Sequence, residues 1–194
     1  MTSSIEDRTR ARILDAAFGC AERFGLARTT MTDVADAAGV ARQTLYRYFD
    51  SKHDLWFALV LREEERIIAL VHEATASHAD LRPALGAAFA TTLRWLREHP
   101  LLDKVMASEP TELLPFLTVE ANPVMGLGMR VMDEVFSTRA EHVSPILVHR
   151  AAETVARLMI SYAITPPADD AEEVAETLAE LLCSGLVKQA GRKR

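Results

Sequence analysis

Cysteine is scarce in this chain: Cys20 and Cys183 are the two thiols in 194 residues. They lie in different parts of the sequence, each inside an apolar helical pattern. That excludes a disulfide-framed secreted domain and reads as two buried free thiols. Glycine and proline are also few, eight of each. With abundant Ala, Leu, Glu and Arg, their scarcity favours helix over sheet. No internal repeat and no low-complexity segment appears. No apolar run reaches the roughly 18 residues that a membrane span needs. The first residues, MTSSIEDRTR, lack the apolar core of a secretory signal. A cytoplasmic protein that does not engage a membrane is therefore expected.

Several chemistries are missing too. The six histidines (His53, His72, His78, His99, His142 and His149) show no ligand-pair spacing, so no metal site is expected. There is no phosphate-binding glycine loop and no serine-elbow motif. No catalytic residue and no cofactor is assigned, and an enzyme built in a helical bundle is disfavoured. What is present is 49% hydrophobic residues, enough for a sizeable core and for one or two domains.

The net charge of −6 is unevenly placed. Residues 1–54 hold eight basic side chains (Arg8, Arg10, Arg12, Arg23, Arg28, Arg42, Arg47, Lys52) and eight acidic ones (Glu6, Asp7, Asp15, Glu22, Asp33, Asp36, Asp50, Asp54). The first part is neutral and the remainder carries the whole negative balance. An acidic remainder repels DNA, and only charges within about 10 Å of a phosphate escape most salt screening.

The most informative stretch is 30–54, TMTDVADAAGVARQTLYRYFDSKHD. Thr30 is a good N-cap, and Asp33 three residues on forms a capping box with Asp for the usual Glu or Gln. Met31, Val34, Ala35 and Ala38 make one apolar face at helical spacing. Gly39 stops the helix because glycine can take the left-handed conformation of a sharp turn. A short helix at 41–48 follows, with Leu45 and Phe49 turned inward. Its other face carries Arg42, Gln43, Thr44, Tyr46 and Arg47, side chains suited to base edges and phosphates. A second capping box, Ser51 to Asp54, starts the next helix.

This pattern closely resembles the DNA-binding region of the TetR family of bacterial transcriptional regulators. The matching residues are Thr9-Arg10, Ile13-Leu14-Asp15-Ala16-Ala17, Phe24-Gly25 and Thr30, then Val34-Ala35, Ala38-Gly39-Val40, Thr44-Leu45-Tyr46, Tyr48-Phe49, Ser51-Lys52 and Leu55. They cover about the first third of the chain, and many fixed spacings hold at once. Ala41 departs from the pattern, standing where the family often has a small hydroxyl residue. The resemblance implies that Arg42, Gln43 and Thr44 face the major groove, that Tyr46 and Lys52 hold backbone phosphates and that Thr30 anchors its helix to one. Arg47 suits either task. Tyr48 reads as packing.

Outside this stretch the pattern stays helical. Residues 2–6 read as a disordered arm. A helix over 7–24 buries Ile13, Leu14, Ala17, Phe18, Ala21 and Phe24. A long helix over 51–72 has apolar ends and a charged middle, Arg62-Glu63-Glu64-Glu65-Arg66, that reads as a solvated face. Further helices are expected over 80–99, 101–108, 122–139, 144–164 and 169–189, with 109–115 a helical turn or an irregular loop and 191–194 a basic tail. Asn122-Pro123 and Ser144-Pro145 are cap-plus-proline starts.

The expected fold is all-α, with about nine helices: a three-helix helix-turn-helix domain at 1–54 (about 7–67 as the family counts it), then a regulatory and dimerisation domain at 55–194. Taken with the resemblance, Phe89, Trp95, Met106, Phe116, Met125, Met129, Met132 and Phe136 are candidates to line an apolar effector pocket. Val155, Leu158, Met159, Tyr162, Val174, Leu178, Leu181 and Leu182 form two-sided apolar helices that fit a homodimer seam, with Ala171, Ala175, Ala179 and Gly185 permitting close approach. The expected function is a homodimeric, ligand-responsive repressor that binds a pseudo-palindromic DNA operator and is released by a small hydrophobic molecule.

Overall fold

The structure, a computed structural model, describes residues 2–140 and 143–191, with side chains except at 2–4, 123, 127 and 187–191. His142 and the basic tail beyond Gly191 lie outside the described residues. Ten helices follow in order among the described residues: α1 (Thr2–Phe24), α2 (Met31–Ala38), α3 (Arg42–Tyr48), α4 (Lys52–Thr75), α5 (Leu81–Glu98), α6 (Pro100–Ser108), α7 (Pro110–Leu117), α8 (Asn122–Ser137), α9 (Pro145–Ile164) and α10 (Ala171–Gly191). The described residues contain no strand. Two details of α1 depart from the sequence reading. The arm expected at 2–6 is the first turn and a half of α1, where the Thr9 hydroxyl donates to the Ile5 carbonyl at 2.9 Å. Phe24, expected inside, is 46% exposed with the Arg23 guanidinium over its ring.

The chain forms two compact units, and they do not divide at residue 54. The first takes the chain up to Glu63 and adds Pro100–Glu120; the second takes Glu64–His99 and the chain from Ala121 onward. The boundary at Glu63 falls inside α4. Helices α6 and α7 belong to the first unit because their apolar faces complete its core. Leu101, Val105, Leu113 and Phe116 are buried with Ile13, Leu14, Val34, Leu45 and Leu55. The Phe116 ring stacks on Phe57 at 5.8 Å and lies 5.0 Å from the His53 ring. His53 Nε2 also meets a Glu120 carboxylate oxygen at 2.9 Å. Pro110 at the start of α7 suits a first helical position, where its missing N–H has no helical partner to lose.

In the second unit, Leu85, Phe89, Phe136 and Ala152 are fully buried. Helices α5 and α10 run closely together because both present alanine: Ala84 and Ala88 on one, Ala171, Ala175 and Ala179 on the other, all buried. Those three α10 alanines, read from sequence as allowing close approach between subunits, are thus spent inside one chain. Ion pairs from Arg82 to Glu180 at 3.1 Å and from Arg94 to Glu172 flank the seam. Helix α8 packs on α9, where a Cβ at Gly128 would touch Ala156 Cβ at 3.5 Å. Arg139, just past α8, donates to the carbonyls of Thr75 at 2.9 Å and His78 at 2.8 Å. It thereby ties the end of α4 and the turn after it to the end of α8.

The charged middle of α4 is not a uniformly solvated face. Glu63 is 7% exposed and pairs with Arg62 at 3.0 Å, and Arg62 also reaches Asp15 on α1 at 2.8 Å. Glu64, about 100° further round the helix, faces the α8 segment around Gly128, and its Oε2 is buried without a hydrogen-bond partner. Burial raises this carboxyl to about 8, against the opposing pull of Arg130 and the Gly128 backbone; Glu65 adds to the rise. The folded protein therefore holds a proton here that the unfolded chain releases above about pH 4.5. Glu64's contribution to stability is fully present below that value and is lost as pH rises through about 8. Thermal melts from pH 5 to 8.5 should show a falling midpoint, and Glu64→Gln should flatten the fall. An unchanged slope in the variant would show that Glu64 is ionised in the fold.

Candidate nucleic-acid interface

Three short devices hold the recognition surface. The first is the cap on α2: the Asp33 N–H donates to Thr30 Oγ1 at 3.2 Å, and the Thr30 N–H donates to Asp33 Oδ2 at 2.9 Å. The Thr30 hydroxyl also donates to that carboxylate at 2.7 Å. These bonds from Thr30 hold the Asp33 carboxyl below the usual carboxylate range. The second is Gly39, at φ 62° and ψ 40°, whose N–H closes on Ala35 and Asp36 carbonyls. A Cβ there would meet nothing within 4 Å. The left-handed backbone, not crowding, is what calls for glycine.

The third device is the burial of α3. Leu45 is 0% exposed and Phe49 4% exposed, both in the first unit's core. That burial leaves Arg42, Gln43, Tyr46 and Arg47 exposed and Thr44 half-buried. No side chain caps α3, since Ala41 at its N-cap has no hydroxyl to offer. Arg42 lies over the Tyr46 ring at 5.5 Å, and its Nη2 is 3.5 Å from the Tyr46 hydroxyl. Arg47 lies over Tyr48 at 5.6 Å, and Tyr48 packs half-buried against the core. Lys52 begins α4, and its Nζ donates to the Ala27 carbonyl at 2.8 Å. An ammonium has three N–H donors, so this bond leaves two. The outward face of α3 thus presents guanidinium, amide and hydroxyl groups to solvent, and half-buried Lys52 adds an ammonium at the start of α4, a set of groups suited to base edges and phosphates.

The other residues singled out from sequence are not gathered together. Phe89, Met132 and Phe136 are buried core in the second unit, Trp95 lies tilted against His99 with ring centroids 4.5 Å apart, and Met125 and Met129 are half-buried on α8. Met106 and Phe116 belong instead to the first unit's core. A groove of about 600 Å³ beside α5 and α10 is lined by Arg82, Gly86, Ala90, Arg94, Glu172 and Ala175 among others, and by none of these eight. Of the helix positions read as a subunit seam, Val155 is buried within the chain. Leu158, Met159, Tyr162, Val174, Leu178 and Leu182 are half-buried, and Leu181 is 65% exposed. No group of three or more metal-ligating side chains occurs among the described residues, and no described helix is long and apolar enough to cross a membrane.

A capped helix, a left-handed glycine and a short helix with an outward polar face define a helix-turn-helix DNA-binding protein. Comparison with known proteins gives the kind. Residues 13–59 match the model of bacterial regulatory proteins of the tetR family, and 80–184 match the bacterial tetracyclin repressor C-terminal domain. The chain belongs to the TetR family of bacterial transcriptional regulators, and it is a regulator rather than an enzyme. It is 30% identical over 192 residues to the uncharacterized HTH-type transcriptional regulator MT1294 of Mycobacterium tuberculosis, covering 93% of this chain and 89% of that one. It is 32% identical over 135 residues to the repressor KstR of Mycolicibacterium smegmatis, covering 70% of this chain and 64% of that one. Among solved structures it is similar to the repressor AlkX of Dietzia sp. strain DQ12-45-1b, implicated in biodegradation of n-alkanes. There the TM-score is 0.77 with 28% identity, covering 91% of this chain and 97% of that one.

Proposed function

We propose that this regulator is a homodimeric repressor that occupies a pseudo-palindromic operator in the cytoplasm and leaves it when a small, mostly hydrophobic molecule binds the second unit. The observation that carries the reading is the outward face of α3, held by the burial of Leu45 and Phe49. Arg42 grips a guanine edge with its fork, Gln43 pairs with an adenine, and Thr44 meets a thymine methyl or a phosphate. Tyr46 and Lys52 hold phosphates, Thr30 joins them once its hydroxyl turns from Asp33 to the DNA, and Arg47 adds to either set.

A dimer built on the half-buried faces of α9 and α10 places two such helices on successive major grooves, about 34–36 Å apart. Aromatic and methionine side chains of the second unit (Phe89, Trp95, Met125, Met129, Met132 and Phe136) favour an apolar effector, as does the implication of the similar repressor AlkX in biodegradation of n-alkanes. An effector acts only through a difference in affinity between the DNA-competent conformer and another. Met106 and Phe116 contribute to the core under the reader rather than to this effector region.

Selecting bound sequences from random DNA gives the operator on which the reading is tested. Arg42→Ala should lose about 1–3 kcal/mol of specific binding and relax preference at one base position. Lys52→Ala should weaken all sequences alike and flatten the salt dependence by about one unit of slope. Identical uniform losses in both variants would refute the division into base reader and phosphate holder. For assembly, Leu181→Glu changes an exposed side chain and should leave a folded monomer in sedimentation; a dimer that persists moves the seam elsewhere. For the effector, Met129→Trp should shift operator affinity by about 1–3 kcal/mol, a usual allosteric coupling. A variant that melts lower yet binds the operator as before would remove Met129 from the effector site.

A further inference from the structure

Glu109 sits where α6 ends and α7 begins. It holds the N-cap position of α7 but makes no side-chain cap. Its carboxylate instead accepts from the Ala27 N–H at 3.0 Å, across 82 positions of sequence. The approach is tight and depends on Gly25. At φ +89° that residue has the conformation glycine takes most easily, and a Cβ on it would lie 2.5 Å from one Glu109 carboxylate oxygen and 2.9 Å from the other. The carbonyl of Ala27 is the group that receives Lys52 Nζ at 2.8 Å. One residue of the turn between α1 and α2 is therefore held on its N–H by Glu109 and engaged on its carbonyl by Lys52. The rest of the turn is pinned from inside. The buried Thr29 hydroxyl donates to the Gly25 carbonyl at 2.7 Å, and the Gly25 N–H donates to Ala21 at 2.8 Å. Lys104 of α6 adds a bond to the Glu22 carbonyl at the end of α1.

We infer that Glu109 is a positioning residue for operator binding: it fixes Ala27, and through Ala27 it sets the Lys52 ammonium where a DNA phosphate can take the remaining N–H donors. The inference rests on Lys52 being a phosphate holder. A flexible lysine must be ordered before it binds, and that loss of side-chain freedom opposes binding. A carbonyl held in place by the Glu109–Ala27 bond removes part of that loss in advance. The sign of the effect is diagnostic. A carboxylate acting only through its charge would repel DNA, so deleting it would tighten binding. A carboxylate that places Lys52 does the opposite.

The test is a set of salt titrations by fluorescence anisotropy, using a labelled duplex of the sequence that the wild-type protein selects from random DNA. The variants are Lys52→Ala, Glu109→Ala, Glu109→Gln, Glu109→Asp and the double Lys52→Ala/Glu109→Ala. Glu109→Ala should weaken binding about fivefold, as expected for one lost hydrogen bond, and lower the salt slope toward that of Lys52→Ala. The double variant should bind no worse than Lys52→Ala alone, because both changes remove one contact. Glu109→Gln keeps an acceptor at the same reach and should restore most of the affinity. Glu109→Asp keeps the charge, loses the reach and should not.

If Glu109→Ala fails to give a cooperative melt, the Gln and Asp variants carry the comparison alone. Tighter binding on removal of Glu109, an unchanged salt slope, or full additivity with Lys52→Ala would each overturn the inference. An unchanged slope in Lys52→Ala itself would remove the phosphate role of Lys52 and this inference with it. A normal Lys52→Ala response with a silent Glu109→Ala would remove the inference alone.

Discussion

A seven-residue helix does not hold itself in water, since isolated helices shorter than about 12–15 residues are marginal. Helix α3 has seven residues and no side-chain cap. What keeps it folded is the burial of Leu45 and Phe49, each worth about 1.5–3 kcal/mol against exposure. The same burial fixes the rotation of α3 about its own axis, which leaves Arg42, Gln43, Tyr46 and Arg47 facing outward. Everything proposed about operator reading depends on that rotation. Gly39 sets the angle of entry, and Thr30 with Asp33 sets where α2 begins, but both would be idle without the apolar contact below α3.

That contact is completed from a distance. The floor of the first unit comes from α6 and α7, separated in sequence by Glu64–His99, which belong to the second unit. The chain passes between units within α4, between His99 and Pro100, and between Glu120 and Ala121. Polar contacts follow the same path. Glu109 and Lys104 reach the end of α1 and the turn after it, and His53 at the start of α4 meets Glu120 at the end of the inserted segment. The segment 100–120 is joined covalently to the second unit at both ends, and the Glu109–Ala27 hydrogen bond joins it to the turn between α1 and α2.

The parts of the fold that were legible in the sequence are those whose causes are local. A cap, a left-handed glycine and a cap-plus-proline start each leave a mark within four residues, and α2, α3 and α9 begin at such marks, whereas α8 starts one residue before the point that Asn122-Pro123 suggests, with Ala121 rather than Asn122 at its N-cap. Apolar periodicity told which side of a helix is buried but not what covers it. Met106 and Phe116 were read as effector lining because their spacing is that of any buried stripe; their partners are residues such as Phe57 in the first unit. The Arg62–Arg66 run reads as solvated from sequence because its contacts are remote: Asp15 lies 47 positions from Arg62, and Glu64 faces α8. The Glu109–Ala27 bond has no local signature at all. Of the candidate DNA contacts, the α3 set was legible because one short amphipathic helix carries it. The bond from Lys52 to Ala27 was not.

The interleaving of the two units bears on how such a regulator can be taken apart or rebuilt. A fragment cut after Glu63 would carry the whole helix-turn-helix yet leave behind Leu101, Val105, Leu113 and Phe116. It would be a reader with no underside, its apolar base open to water and to other chains. A chimaera that grafts the first 54 residues onto a foreign partner inherits the same defect unless the recipient brings its own α6 and α7 to fit. The transplantable module in this chain is discontinuous. Its sequence specificity cannot be moved without also moving the piece of chain beneath it.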